Sequence, residues 1–279
     1  MDKKVKYSKC LVTEYGFYRQ IYPLYKDWNK MAEHILKANP GSQLQTEFQL
    51  RFLKMDMDGQ LLHVFLKDKF LKDFLINTEI RDYSEVIRFV AEKGIYGEGR
   101  TSSHEDVTFA EYRFCIHVPE EESGYTCSLS VDNTNRIRIV LLHNNFVITL
   151  DKKQNEPLGF ENSVDPYDQD DYKSWKLIIN LIFYMNTFPE CVIDGLPKGV
   201  RLDYGFKNRK IQIGTSPKIV AKTETSSDGR IVTPHFRSGH FRYLGSDFFT
   251  KMRGKTIFIE SCFVKGKNAK TVIERKAAV

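Results

Sequence analysis

The chain has 279 residues, of which 41% are hydrophobic, 13% aromatic and 28% charged. This composition excludes a disordered chain and a fibrous repeat, because it supplies enough apolar surface for a large core. The length fits one large domain or two small ones, and we expect two regions.

Membrane insertion and secretion are both disfavoured. No apolar run reaches the roughly 18–20 residues that a membrane-spanning helix needs. The first 30 residues also lack an apolar segment followed by a small-residue cleavage site. We therefore expect a cytoplasmic protein with no membrane partner. The five cysteines are scattered and form no CxxC pair, which favours reduced, buried thiols over a disulfide framework or a zinc knuckle.

The N-terminal part of the chain has the pattern of amphipathic helices. Apolar residues recur at spacings of three and four over residues 17–36, 48–75 and 83–91. Residues 55–59, which end in a glycine, are a candidate break in the second stretch. We expect residues 1–100 to form a mainly helical N-terminal region.

A glycine-rich segment follows these helices. Gly94, Gly97 and Gly99 predict a loop at the boundary between the two regions. No Lys-Ser/Thr pair and no strand-turn-helix context accompany them, so they form neither a Walker loop nor a dinucleotide fingerprint. We expect no cofactor.

Beyond residue 100 the apolar period changes from 3.6 to 2. This alternation predicts strands at residues 107–109, 112–118, 125–131, 137–139 and 146–150. Polar turns separate them, and an antiparallel meander is the simplest assembly.

The segment of residues 168–188 is too apolar on all sides for a surface helix, which predicts a central buried helix. Strands are expected at residues 210–213 and 257–264, and a polar loop at residues 223–229. The predicted class is therefore α+β: a helical N-terminal region, then a mainly antiparallel sheet packed on a central apolar helix, with a basic C-terminal β segment. Residues 101–279 form the second region.

Charge is distributed unevenly along the chain. Residues 198–279 contain 18 Lys and Arg against 6 Asp and Glu, a net charge of +12, whereas residues 1–197 have a net charge of −6. Lys and Arg that neutralise phosphates release condensed counterions, so a basic segment of this kind favours a polyanionic partner. RNA, DNA and an acidic protein all remain open on charge alone.

The tripeptide His-Phe-Arg occurs twice within eight residues, at residues 235–237 and 240–242. In extended chains that meet at a turn or bulge at Ser238 and Gly239, the imidazoles and guanidiniums would converge. Arg grips phosphate with two parallel hydrogen bonds, and His exchanges protons near neutral pH.

Two interpretations of this segment stay open. In the first, it holds RNA without cutting it, and the nucleic-acid-binding residues are Arg237, Arg242, Lys251, Arg253 and Lys255, with Phe241 and Tyr243 as stacking or core residues. In the second, His235 and His240 are the catalytic base and acid of a metal-independent endoribonuclease. A zinc site from His235, His240 and Cys262 is disfavoured because the flanking Arg would repel a cation, so we expect no metal.

These same residues resemble a known family. Pro234, His235, Arg237, Gly239, His240 and Arg242, followed by a glycine and a basic strand, are similar to the C-terminal Pro-His-x-Arg-Arg-Gly-His-Trp signature of a family carried by phages and other mobile elements, which includes a type V-A anti-CRISPR protein. The likeness covers about the last 110 residues and includes the apolar helix and the Gly-Leu-Pro after it. Ser238 and Phe241 depart from the signature's second Arg and its Trp.

The resemblance implies a regulator that lowers production of a CRISPR nuclease or another target during translation. It would recognise the nascent polypeptide, in some cases on the ribosome, and promote loss of the mRNA, in the host cytoplasm. Its partners would be RNA, either mRNA or ribosomal RNA, and the nascent chain. A third hypothesis, a phage nucleic-acid-binding structural protein, follows from the same charge bias.

Overall fold

The computed structural model describes residues 5–10, 13–81, 83–100, 106–143, 146–153, 166–202, 207–216, 235–237, 239–260 and 262–264. The polar loop predicted at residues 223–229 lies outside these ranges. Six α-helices are present in the described ranges: α1 (Thr13–Tyr25), α2 (Trp28–Ala38), α3 (Gln43–Asp58), α4 (Lys69–Asn77), α5 (Ser84–Lys93) and α6 (Pro166–Thr187).

Twelve strands accompany these helices in the described part of the chain, which confirms the predicted α+β class. They are β1 (Leu62–Leu66), β2 (Ile95–Arg100), β3 (Asp106–His117), β4 (Tyr125–Asp132), β5 (Arg136–His143), β6 (Phe146–Lys153), β7 (Val192–Asp194), β8 (Arg209–Ile213), β9 (His235–Arg237), β10 (His240–Tyr243), β11 (Thr256–Ile259) and β12 (Cys262–Val264).

Eight of the strands form one sheet in the order β6-β5-β4-β3-β1-β8-β7, with β2 paired to the first half of β3. Strands β3 to β6 are the antiparallel meander that the alternating apolar pattern predicts. Strand β1 runs parallel to both β3 and β8, so the centre of the sheet is mixed rather than purely antiparallel.

Two segments of the N-terminal region differ from their predicted structure. Residues 48–75 do not form one helical stretch: α3 ends at Gly59, whose φ of 74° is left-handed, and β1 follows it. Gly97 and Gly99 do not form a loop, because residues 95–100 are strand β2, whereas Gly94 ends α5. Since β1 and β2 both pair with β3, the sheet crosses the expected boundary at residue 100.

Helices cover both faces of the sheet centre. Along β1, Leu62, Val64 and Leu66 face the core that contains α4, α5 and α6. Across the sheet, Phe48 and Phe52 of α3 pack on the opposite face, and α1 and α2 pack on α3 in turn. All five residues of β1 are buried, as expected of a strand covered on both faces.

Helix α6 is the central helix that the sequence predicts. Its side chains are buried on every side, including Trp175, Leu177, Ile178, Leu181 and Phe183. One polar residue, Asn180, lies fully buried among them. Its Nδ2 group donates to the carbonyl oxygens of Leu75 at 2.8 Å and Thr78 at 3.0 Å, which joins α6 to the end of α4.

Replacing Asn180→Leu keeps the side-chain volume but leaves those two buried carbonyls without donors. We expect a loss of about 2–4 kcal/mol in the free energy of unfolding, measured by urea denaturation. Asn29→Leu, an exposed position on α2, is the matched control and should change stability by no more than about 0.5 kcal/mol. Equal stability of the Asn180 variant and the wild type would show that these hydrogen bonds do not hold the two helices together.

Candidate nucleic-acid interface

The second His-Phe-Arg tripeptide lies in a β-hairpin. This hairpin consists of β10, β11 and the loop of residues 244–255, and we call it the basic hairpin. His240 is opposite Ile259, and Tyr243 is opposite Thr256. Two backbone hydrogen bonds of 2.9 Å close the loop, from the amide of Leu244 to the carbonyl of Lys255 and from the amide of Gly254 to the carbonyl of Leu244. The φ of Gly254 is 79°, a left-handed value that favours glycine.

Aromatic residues anchor the hairpin on the core. Phe241 is 2% exposed, and its ring stacks on that of Phe183 in α6 with centroids 5.6 Å apart. The ring of Phe258 on β11 also packs against the ring of Phe241, with centroids 5.1 Å apart. Phe241 is therefore a core residue, which is one of the two roles that its sequence leaves open. Tyr243 is half-buried, and the guanidinium of Arg88 lies 5.7 Å from its ring centroid.

The outer side of the hairpin carries cations. Arg242, Lys251 and Lys255 are exposed, and none of the three forms an ion pair with an acidic side chain in the ranges described. Arg253 is also exposed but is bound to Asp247 at 2.5 Å. The hairpin therefore presents at least three cations that are open to an external anion.

Two phenylalanines in the loop were not singled out by the sequence reasoning. Phe248 is 86% exposed, the highest value among the large apolar side chains described. Its ring makes an edge-to-face contact with that of Phe249, and the two centroids are 5.4 Å apart. The guanidinium of Arg242 lies 5.4 Å from the Phe249 ring. The signal in the sequence was the Phe-Phe pair between a glycine and the basic run, a combination typical of single-stranded nucleic-acid platforms.

The two His-Phe-Arg tripeptides do not pair with each other. β9 pairs with β12, with Arg237 opposite Cys262, whereas β10 pairs with β11. The two ladders share one register, since Arg237 lies opposite Cys262 and His240 lies opposite Ile259. Ser238, where a turn or bulge is expected, lies outside the described residues, so convergence of the imidazoles and guanidiniums stays a prediction.

The pair of imidazoles expected for catalysis is only half described. His240 is 5% exposed, which keeps its ring away from an RNA phosphate at the surface. The side chains of His235, Arg237 and Cys262 lie outside the described residues. The structure therefore places Arg242, Lys251, Arg253 and Lys255 on the basic hairpin, and it buries His240 at the end of the two strands remote from the loop.

A different pair of histidines lies inside the molecule. The Nδ1 atom of His63 is 3.0 Å from Nε2 of His117, and Nδ1 of His117 is 3.1 Å from the carbonyl oxygen of Ser8. That carbonyl only accepts, so His117 carries its proton on Nδ1 and accepts from His63 through Nε2. Asp56, hydrogen-bonded to Asn208 at 2.6 Å, lies at the end of this cluster.

These histidines have a structural role. Both rings are 0% exposed, and Asp56 is 2% exposed, so no substrate reaches them. The cluster joins the N-terminal segment, α3, β1 and β3. No local pattern indicates this cluster, because the two histidines are 54 positions apart and meet only when β1 and β3 pair.

Comparisons with known proteins give no relative for this chain: no family model, no curated protein and no solved structure matches it. Within the described ranges, no three His, Cys, Asp or Glu side chains are placed to hold a metal ion. None of the described helices has the length and apolar character needed to cross a membrane.

Stability should fall with acid because of His117. Burial, with a smaller contribution from His63, lowers the pKa of His117 to about 3. In the unfolded chain the imidazole takes up a proton near pH 6.5, whereas the folded protein does not until about pH 3. Unfolding therefore becomes easier as the pH falls from 6.5 towards 3, by up to about 1.4 kcal/mol per pH unit.

This dependence can be measured by urea denaturation between pH 7.5 and 4.5. His117→Gln should flatten the decline, whereas His34→Gln, an exposed position on α2, should leave it unchanged. If the His117 variant and the wild type lose stability in parallel, the buried imidazole does not control the acid sensitivity.

Proposed function

We propose that the protein binds single-stranded RNA through the basic hairpin. The observation that supports this most strongly is the exposed ring of Phe248 on a loop that also carries Lys251 and Lys255, neither of which has an ion-pair partner in the described part of the chain. Proteins that bind single-stranded nucleic acid combine cations along the backbone path with aromatic rings on which bases stack. A double helix offers no unstacked base to such a ring, so a single strand is the better fit.

The wider role follows the resemblance in the C-terminal segment. We propose a mobile-element regulator that lowers production of a CRISPR nuclease or another target during translation, by recognising the nascent peptide and promoting loss of the mRNA in the host cytoplasm. The basic hairpin would contact the mRNA or ribosomal RNA. The peptide needs a separate surface, because the hairpin is cationic and its inner side is committed to the core.

A groove between α2 and α3 has the properties such a surface needs. Its volume is about 430 Å³, and Trp28, Ala32, Leu36 and Leu50 form much of its apolar lining. The nearby cation of Lys54 is paired with Asp58 at 2.8 Å, so the groove has less free charge than the hairpin. An apolar groove with charged edges suits a short amphipathic segment of polypeptide.

The alternatives are an endoribonuclease that uses His235 and His240 and a phage nucleic-acid-binding structural protein. The burial of His240 weighs against the first, because a catalytic imidazole must reach the scissile phosphate. A packaging role would use the cations but has no need of an exposed aromatic ring such as Phe248.

Variants of the hairpin test RNA binding. Replacing Arg242, Lys251 and Lys255 together by Ala should weaken binding of a fluorescent single-stranded RNA and flatten its salt dependence, since each lost phosphate contact removes roughly 0.7 from the slope of log K against log salt. Phe248→Ala should weaken binding roughly 5-fold or more at each salt concentration and leave that slope unchanged.

Phe70→Ala, an exposed Phe on α4, and Lys30→Ala, an exposed Lys on α2, are the controls and should bind as the wild type does. The recovered RNA should be intact in the presence of a chelator. Unchanged affinity in both hairpin variants would reject the RNA site, and cleavage products that disappear in His240→Ala would favour the endoribonuclease.

A groove variant tests peptide recognition separately. Ala32→Arg places a long cation into the apolar groove and should abolish repression of the target in a translation assay. RNA affinity should stay within about twofold of the wild type, because the hairpin is untouched. Lys30→Ala, on the same helix but outside the groove lining, should repress normally. Full repression by Ala32→Arg would show that the groove does not select the target.

A further inference from the structure

A cleft lies directly beside the basic hairpin. One wall is formed by β11 and the end of the hairpin loop, including Lys255 and Thr256, and the other by α5 and the C-terminal end of α6, including Arg88 and Thr187. Its volume is about 780 Å³. This lies within the roughly 300–1,000 Å³ of sites that bind small molecules.

Two hydroxyl groups in this cleft have no partner. The Oγ1 atoms of Thr187 and Thr256 are inaccessible to solvent and make no hydrogen bond with any described group. Both residues line the cleft. A buried polar atom without a partner costs about 1–3 kcal/mol, so native proteins retain few of them. Rotation of each side chain about χ1 would turn its hydroxyl into the cleft, where a ligand with donors and acceptors along one edge would satisfy both hydroxyls.

The charges in the cleft balance. Glu85, fully buried, holds Arg88 at 2.6 Å, and its Oε1 also accepts from Nδ2 of Asn186 at 2.7 Å. The hydrogen bond to Glu85 fixes the side-chain amide of Asn186 and leaves the amide oxygen, Oδ1, open as an acceptor. Lys255 and Glu260 are the other charged lining residues. Among the described residues, the lining of the cleft therefore contains two acidic and two basic side chains. Unlike the outer side of the hairpin, the cleft is therefore suited to an uncharged group.

Apolar side chains supply the remaining surface. Phe188, Ile257 and Phe258 form walls, and Met252, 42% exposed, lies at the rim. Flat apolar walls with a few polar groups along one side are the environment in which proteins hold an unstacked base of RNA, which has two apolar faces and a polar edge.

We infer that this cleft takes one unstacked base of the RNA whose phosphates lie along the basic hairpin. The inference rests on the proposed RNA binding and adds a base-reading site to it. The hydroxyls of Thr187 and Thr256 and the amide oxygen of Asn186 contact the polar edge of the base. The cations of the hairpin hold the flanking phosphates, and the cleft contributes the contact that depends on base identity.

The experiment compares two RNAs with identical phosphates, a ten-nucleotide single strand and the same strand with abasic sites throughout. The double variant Thr187→Val and Thr256→Val keeps the shape of both side chains and removes both hydroxyls. It should bind the normal RNA about tenfold more weakly than the wild type does and the abasic RNA equally well, since only the base is lost from the site. Thr108→Val, an exposed position on β3, is the matched control.

A second variant guards against misfolding. Met252→Trp fills the mouth of the cleft from an exposed position, and it should reproduce the selective loss for normal RNA while its melting temperature stays at the wild-type value. If both cleft variants bind both RNAs as the wild type does, the cleft holds no base, and a peptide or another ligand occupies it. If the wild type binds neither RNA, the proposed function itself fails, and the base site fails with it.

Discussion

The stacking of Phe241 on Phe183 connects the basic hairpin to the core of the protein. The second half of α6 is apolar on nearly all sides, so each of these sides needs a cover. The sheet, α4 and α5 provide most of it, and the hairpin provides the rest through Phe241 and Phe258. This requirement commits the inner positions of the hairpin to packing. Only the loop and the outer positions remain available for a partner, and the cations and the exposed Phe248 lie there.

The elements that the sequence predicts well are those with a clear period. Strand β4 alternates apolar and polar residues, and residues 177–185 in the second half of α6 are almost all apolar, so both patterns are clear. Strand β1 was missed because a short run that is buried on both faces has no alternation and resembles part of a buried helix. Strand β2 was missed because its glycines resemble a loop. Gly97 is needed there because a Cβ would lie 3.0 Å from the ring of Phe109.

The candidate site was predicted only in part, for a different reason. The repeated His-Phe-Arg indicated the correct region, but a repeat in sequence does not fix a repeat in space. Phe241 and Phe248 are only seven positions apart, yet one is 2% exposed and the other 86%. Long-range packing on α6 decides between them, and no local pattern reports it. The same holds for His240, which looks reactive in the sequence and is buried in the fold.

In the proposed complex with RNA, the hairpin and the cleft would divide affinity and selectivity between two physical effects. Phosphate contacts are strong, depend on salt and are the same for every sequence, so the cations of the hairpin cannot choose one RNA over another. A neutral cleft with hydroxyl groups adds little to non-specific affinity but distinguishes one base from another.

One base is too little information to select a single message in a cell, so a second recognition event must supply the rest. In a protein that acts during translation, the nascent chain attached to the same message is the natural source of that information. The groove between α2 and α3 is a separate described surface of suitable character for reading it.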